Sequence, residues 1–232
     1  MEKKYKIITI VFVFLFLAVL GSYIYLSLTG GEIIGSNSSG EVRKVTYSFS
    51  LNPEAKIAVV SGMHPRETLS KEVMPTVSQL FTVNNNVMIV NYKVEVKEDP
   101  QDFYKGRSNG EQLVHDFIVP DVAKENFDLV IIAHDHEQGY GEGFYIATPS
   151  MDNKSLELAD KVMAKLPDFR HYTRNTTAPA ESTSVTKVDD PIVNTGTALF
   201  VYEIPEWLTE DEAFEQTYAL LTASFKAIVG NG

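Results

Sequence analysis

The sequence predicts an α/β fold: a three-layer sandwich with a mostly parallel or mixed central sheet, preceded by one transmembrane helix. Two observations predict the sandwich. Short β-branched apolar runs alternate with stretches of helical period, the pattern of a sheet with helices on its faces. Several of those runs are apolar almost throughout, as strands covered on both sides must be. A third observation predicts the membrane helix. Ile7–Leu28 is 22 residues long and carries no charge, and at about 1.5 Å per residue it is long enough to cross a hydrocarbon core of about 30 Å.

In chain order, Lys3, Lys4 and Lys6 make residues 1–6 a basic stub, which the positive-inside rule places in the cytoplasm with the rest of the chain outside. Tyr23 and Tyr25 fall near the far end of the anchor, residues 7–28. A cleaved secretory signal is the competing reading. The length of the run and the lack of a small-residue cleavage site argue against it, and either way the domain is exported. Thr29–Glu41 (TGGEIIGSNSSGE) is rich in Gly and Ser without an apolar period, so residues 29–41 are expected as a flexible stalk. Residues 42–232 then form a single domain.

Within it Ile57–Ser61, Val87–Tyr92, Leu129–Ala133, Phe144–Ala147 and Ala198–Tyr202 read as strands. Leu69–Phe81, Gly110–Lys124 and Lys154–Leu166 read as helices, with Pro75 a kink or break in the first. The last helix is the clearest. Thr209 and Glu212 form a T-x-x-E capping box, Phe214, Tyr218, Leu221, Phe225 and Ile228 line one face, and Gly230 suits the stop. Thr173–Gly196 has neither helical nor strand period and is expected as a long loop. No internal repeat is evident.

The formal net charge of −11, more negative still beyond the basic stub, argues against a nucleic-acid partner. With 44% hydrophobic residues the chain is globular rather than disordered in type. It contains no cysteine, so disulfides are excluded and any metal site is built from His, Asp and Glu.

Ligands of open α/β sheets gather at the carboxyl ends of strands, and three strand ends carry ionisable groups. In SGMHPRE, His64 and Glu67 stand three apart after the first run, a spacing at which an imidazole nitrogen and a carboxylate oxygen converge on one ion. The bland alternative is a surface turn in which Pro65 starts a helix. In DLVIIAHDHE an apolar strand empties into His134, Asp135, His136 and Glu137, where alternation puts both His on one side. A hydrated turn is the alternative there. In TALFVYEIPEW, Glu203 ends an apolar strand, either as a general base or as a solvated strand end.

Together and in this order, these segments resemble the zinc carboxypeptidase superfamily, which includes the succinylglutamate desuccinylase and aspartoacylase-like deacylases. The resemblance implies a zinc-carboxypeptidase-like sandwich in which His64, Glu67 and His134 hold one Zn2+ and Glu203 is the catalytic base. It covers most of residues 42–232. The family's Asn and Arg, which grip a substrate carboxylate and polarise the scissile carbonyl, have counterparts in YKGRSNGE, where Arg107 and Asn109 occur in reversed order. Arg107 is assigned to carboxylate or oxyanion binding, with Arg66 a second candidate. Tyr172 is the nearest offer for the family's loop Tyr, and His136 is a candidate for orienting substrate or replacing His134. His115 and His171 read as ordinary helix or surface residues. The implied activity is hydrolysis of an amide in a peptide or an N-acyl amino acid, with cell-wall peptides matching the expected location outside the membrane. Two rivals remain: an H-x-H metal hydrolase centred on His134 and His136, and a non-catalytic tethered module that binds metal or peptide.

Overall fold

The structure is a computed structural model and describes residues 5, 9, 11–18, 21, 30–177 and 182–230. Its centre is an eight-stranded mixed sheet. The strands are β1 (Glu32–Asn37), β2 (Gly40–Tyr47), β3 (Ala55–Ser61), β4 (Val87–Val96), β5 (Leu129–His136), β6 (Tyr145–Thr148), β7 (Arg170–Thr173) and β8 (Ala198–Pro205). Their spatial order is β1-β2-β4-β3-β5-β8-β6-β7. The four central strands, β4, β3, β5 and β8, are mutually parallel. β2 runs antiparallel to β4, and β6 antiparallel to β8.

Four helices cover the two faces: α1 (Leu69–Asn84), α2 (Phe103–Leu113), α3 (Asn153–Met163) and α4 (Glu210–Ile228). On one face Val73, Met74, Val77 and Phe81 of α1, with Ala159 and Val162 of α3 and Leu220 and Leu221 of α4, bury Ile57, Val59, Ile131 and Phe200. On the other, Leu113, Val114, Ile118 and Val122 with Val188 and Ile192 bury Ala58, Val60, Val130, Ile132 and Leu199. Successive strand residues point to opposite faces, which is why these lists interleave. The expected sandwich is therefore observed.

The expected membrane anchor Ile7–Leu28 lies largely outside the described residues. Val11–Ala18 are helical and exposed, and among the described residues no helix is long and apolar enough to cross a membrane. The expected stalk is corrected: residues 32–37 are an edge strand paired with β2. The Gly and Ser that suggested flexibility have local structural uses. Asn37 Oδ1 accepts from Ser39 N at 2.9 Å in the turn to Gly40, and a side chain at Gly35 would meet the Phe117 ring.

Pro75 does not end α1, which runs through it. In α4 both halves of the expected capping box form, with Thr209 N donating to Glu212 Oε2 at 2.9 Å. Of the expected stripe Leu221 is fully buried, and the other buried positions are Ala213, Thr217, Leu220, Ala223, Ser224 and Ala227. The small residues among these let the helix lie close on the sheet, while Tyr218 and Phe225 pack beside them against Phe81.

The expected helix Gly110–Lys124 starts earlier, at Phe103, because Asp102 caps it by accepting from Tyr104 N and Lys105 N. It continues through a π-helical turn, Val114–Ile118, into Val119–Val122. The same sequence of elements recurs inside the expected loop Thr173–Gly196, where a π-helical turn, Val185–Asp189, leads into Asp190–Val193. In each case a Pro follows, Pro120 or Pro191, whose missing N–H leaves a carbonyl four residues earlier without its helical donor. His115 takes one of them: its Nδ1 lies 2.8 Å from Lys187 O. It therefore ties the two π-turns together. Each unit leads into a strand, β5 or β8, that carries a candidate site residue at its end.

Candidate metal centre

The site forms at the carboxyl edge of β3, β5 and β8. After Ser61 the chain turns at Gly62, whose φ of +79° suits glycine and where a Cβ would strike Val94 O. Glu67 N donates to His64 O at 3.1 Å, closing the turn that brings the two side chains to one side. Gly110 of α2 presses onto the same turn, where a Cβ would lie 1.6 Å from Met63 O. Arg107 and Glu111, each next to a glycine on this stripe of α2, are thereby carried to the cluster.

His64, Glu67 and His134 meet. Glu67 Oε1 lies 2.8 Å from His64 Nδ1, and Oε2 lies 2.6 Å from His134 Nδ1. The two imidazoles stack with centroids 4.3 Å apart, and one ligand atom from each of the three residues falls within 4.8 Å of the others. Two buried imidazoles turning the same nitrogen to one carboxylate form a three-ligand N, N, O set of the kind that binds zinc with a position left open. Among the described residues His64 Nε2 is buried with no hydrogen-bond partner, and it faces Glu111 Oε1 at 3.9 Å. The separation exceeds hydrogen-bond length, so Glu111 stands near the far nitrogen without bonding it.

The electrostatics of the cluster are strongly coupled. Burial, aided by the charge of His134, lowers His64 to about 4. Burial opposes protonation of His134 as well, but Glu67 outweighs it and raises His134 to about 9. Burial likewise opposes ionisation of Glu67, yet His134 and His64 hold it below the ordinary carboxylate range. Glu203 pairs in register with His134 on the neighbouring parallel strand, so both side chains share a face. Burial lifts its carboxyl to about 7; His134 moderates the rise, and Glu67 and Asp135 add to it.

The remaining expected residues divide. Arg107 reaches the cluster, 3.6 Å from Glu67 Oε1. Arg66 is exposed at the rim, and both guanidiniums lie over the Phe103 ring. Asn109 points away, donating to Glu98 O at 2.9 Å, because it sits two positions from Arg107 and so on another side of α2. His136 is not in the ligand cluster. Its ring nitrogens lie against Glu137 O and Gly143 O, and its ring packs between Tyr145 and Trp207. Tyr172 meets the edge of Tyr145 at 4.7 Å, while His171 bonds Thr148.

Three neighbours were not expected: Tyr145, Glu111 and Asp189. Tyr145 lies opposite Glu203 on β6. Glu111 is buried and accepts from the Thr183 and Ser184 hydroxyls. Asp189 is buried nearby, and Asp135 points to the opposite face. Glu111 was readable in principle: placing the helix start at the Asp102 cap puts it one turn after Arg107.

No family model matches the chain, and none of the curated proteins does. Solved structures do. A carboxypeptidase-like protein from Burkholderia mallei aligns at a TM-score of 0.57 and 10% identity, over 86% of this chain and 63% of the other. The cell shape determinant protein Csd4 from Helicobacter pylori aligns at 0.53 and 12%, over 81% and 55%. A metallo-carboxypeptidase from Pseudomonas aeruginosa aligns at 0.52 and 12%, over 91% and 68%. The chain thus spans less than two thirds of the first two. Sheet, helical layers and strand-end cluster together lead to one statement: the chain has the metallo-carboxypeptidase fold.

Proposed function

We propose that this protein is a zinc-dependent amide hydrolase of carboxypeptidase or deacylase type, held outside a membrane by Ile7–Leu28. The observation that carries the reading is the convergence of His64, Glu67 and His134 from two strand ends, with Glu203 in register beside them. Zn2+ held by these three residues would supply Lewis acidity and a more acidic water. Glu203, whose carboxyl titrates near neutrality, takes a proton from the attacking water and returns it to the leaving amine. Arg107 holds a substrate carboxylate or the charge that develops on the carbonyl oxygen. Arg66 extends that positive rim.

Peptides and N-acyl amino acids are the substrate classes, and cell-wall peptides are preferred among them. Two considerations support this choice. The charge pattern around Ile7–Leu28 directs the domain outward, and the fold is shared with a cell shape determinant whose structure has been solved with a tripeptide bound.

Metal content measured by mass spectrometry tests the reading, comparing wild type with His64→Ala and His134→Ala after identical purification. About one zinc per wild-type chain, lost in both variants, is expected, with Glu203→Gln keeping zinc while losing turnover of peptide or N-acyl amino acid substrates. A wild-type protein that refuses supplied zinc sinks the proposal. Zinc bound with no turnover of any peptide leaves a tethered binding domain.

A further inference from the structure

The start of α1 lacks the cap its own sequence would supply. Thr68, in the N-cap position, has helical backbone angles and makes no side-chain cap bond. The first-turn amides are met from elsewhere. Asp135 Oδ2 accepts from Leu69 N at 2.7 Å and Oδ1 from Ser70 N at 2.8 Å. One carboxylate therefore uses both oxygens on two consecutive N–H groups at a helix N-terminus, where charge-assisted bonds and the helix dipole reinforce each other.

The position of this contact in the chain matters. Asp135 immediately follows His134 on β5, and Leu69 comes two residues after Glu67. Strand alternation turns His134 to one face and Asp135 to the other, so the two side chains grip the same turn from opposite sides of the sheet. His134 meets Glu67 on the ligand face, while Asp135 holds the helix that leaves the turn.

We propose that Asp135 is a positioning residue. It locks the turn bearing His64 and Glu67 to the strand bearing His134, and thereby sets the spacing of the ligand set before any ion binds. This rests on the metal-centre reading above. A carboxylate is required rather than any polar residue, because both acceptors are engaged and an amide would turn one N–H toward another.

The test uses the full chain. Zn2+ affinity by competition with a chromogenic chelator, the visible spectrum of the Co2+ form, and hydrogen exchange at Leu69 and Ser70 are measured for wild type, Asp135→Ala, Asp135→Asn and Val77→Ala. Val77 is buried in α1 away from the turn and controls for simple loss of helix stability. Asp135→Ala is expected to speed exchange at both amides, alter the Co2+ spectrum and weaken Zn2+ binding roughly ten- to a hundred-fold. Asp135→Asn, the variant less prone to misfold, is expected to fall between it and wild type, while Val77→Ala binds Zn2+ as wild type does. Zn2+ affinity within twofold of wild type in folded Asp135→Ala or Asp135→Asn overturns the proposal, as does an equal loss in Val77→Ala. A wild-type chain that binds no Zn2+ removes the metal-centre reading, and the positioning role falls with it.

Discussion

The two faces of the sheet differ in what the same strands deliver to them. On β5, Ile131 and Ala133 enter the apolar layer under α1 and α4, and only Asp135, at the edge, is ionisable. On the opposite face Ile132 is followed by His134 and His136, and the facing elements contribute Arg107, Glu111 and Asp189. Both faces carry stability through well-packed carbon, but only one also gathers charges at its edge, which are costly to bury unless each finds a partner. The difference teaches that a period-two backbone can serve both purposes within one strand.

The largest effects should separate the faces most sharply. His134→Ala is expected to abolish stoichiometric Zn2+ binding, while Phe81→Ala, in the apolar layer against Tyr218 and Phe225, costs about 3–5 kcal/mol of unfolding free energy and leaves affinity unchanged in the folded fraction. Equilibrium denaturation run beside metal titration checks both. Equal loss of metal affinity in Phe81→Ala would break the comparison.

Asp189 gives the pH dependence. Burial first, then Asp190 and Glu111, raise its carboxyl to about 7 despite the nearby His134. A folded-state value above the unfolded 3.8 means the folded protein holds the extra proton between the two. The associated stability is complete below about pH 4 and is lost as pH rises through about 7. Asp189→Asn should flatten this slope, which is worth roughly 4 kcal/mol at most. Chemical denaturation at several pH values measures it, and an unchanged slope would exclude Asp189 as its source.

Gly110→Ala sharpens the contrast between packing and ligation. Its Cβ cannot coexist with Met63 O at 1.6 Å, so α2 or the turn shifts, and a stability loss of about 1–3 kcal/mol is expected together with weaker Zn2+ binding. The smallest effect belongs to Asn109→Ala. Having lost its role at the site, Asn109 should cost no more than about 1 kcal/mol when its hydrogen bond to Glu98 O is removed, with KM unchanged. A raised KM would return it to the substrate path.

Much of the site was legible because its signals are local. An apolar strand that ends in HDH, a turn that reads HPRE and a strand that ends in Glu203 each show within a few residues. What failed were features decided at a distance. The Gly and Ser of residues 29–41 looked like a stalk because composition alone does not show the edge of β2 waiting to be paired. Asn109 and Glu111 exchanged importance because the residues before Gly110 were read outside the helix, so the one-turn spacing that puts Arg107 and Glu111 on one side of α2 was not applied.

The sequence by itself determined the alternation of strands and helices, the apolar burial of the central strands and the residue types available to a metal, since periodicity and composition are written in neighbouring positions. Only the tertiary structure decided that Glu67 bridges His64 and His134, that Glu111 stands behind His64, and that Asp135 caps a helix it does not belong to. Apart from the local His64–Glu67 pair, those contacts join residues far apart in the chain, and side-chain direction at a strand end is set by register and packing rather than by local sequence.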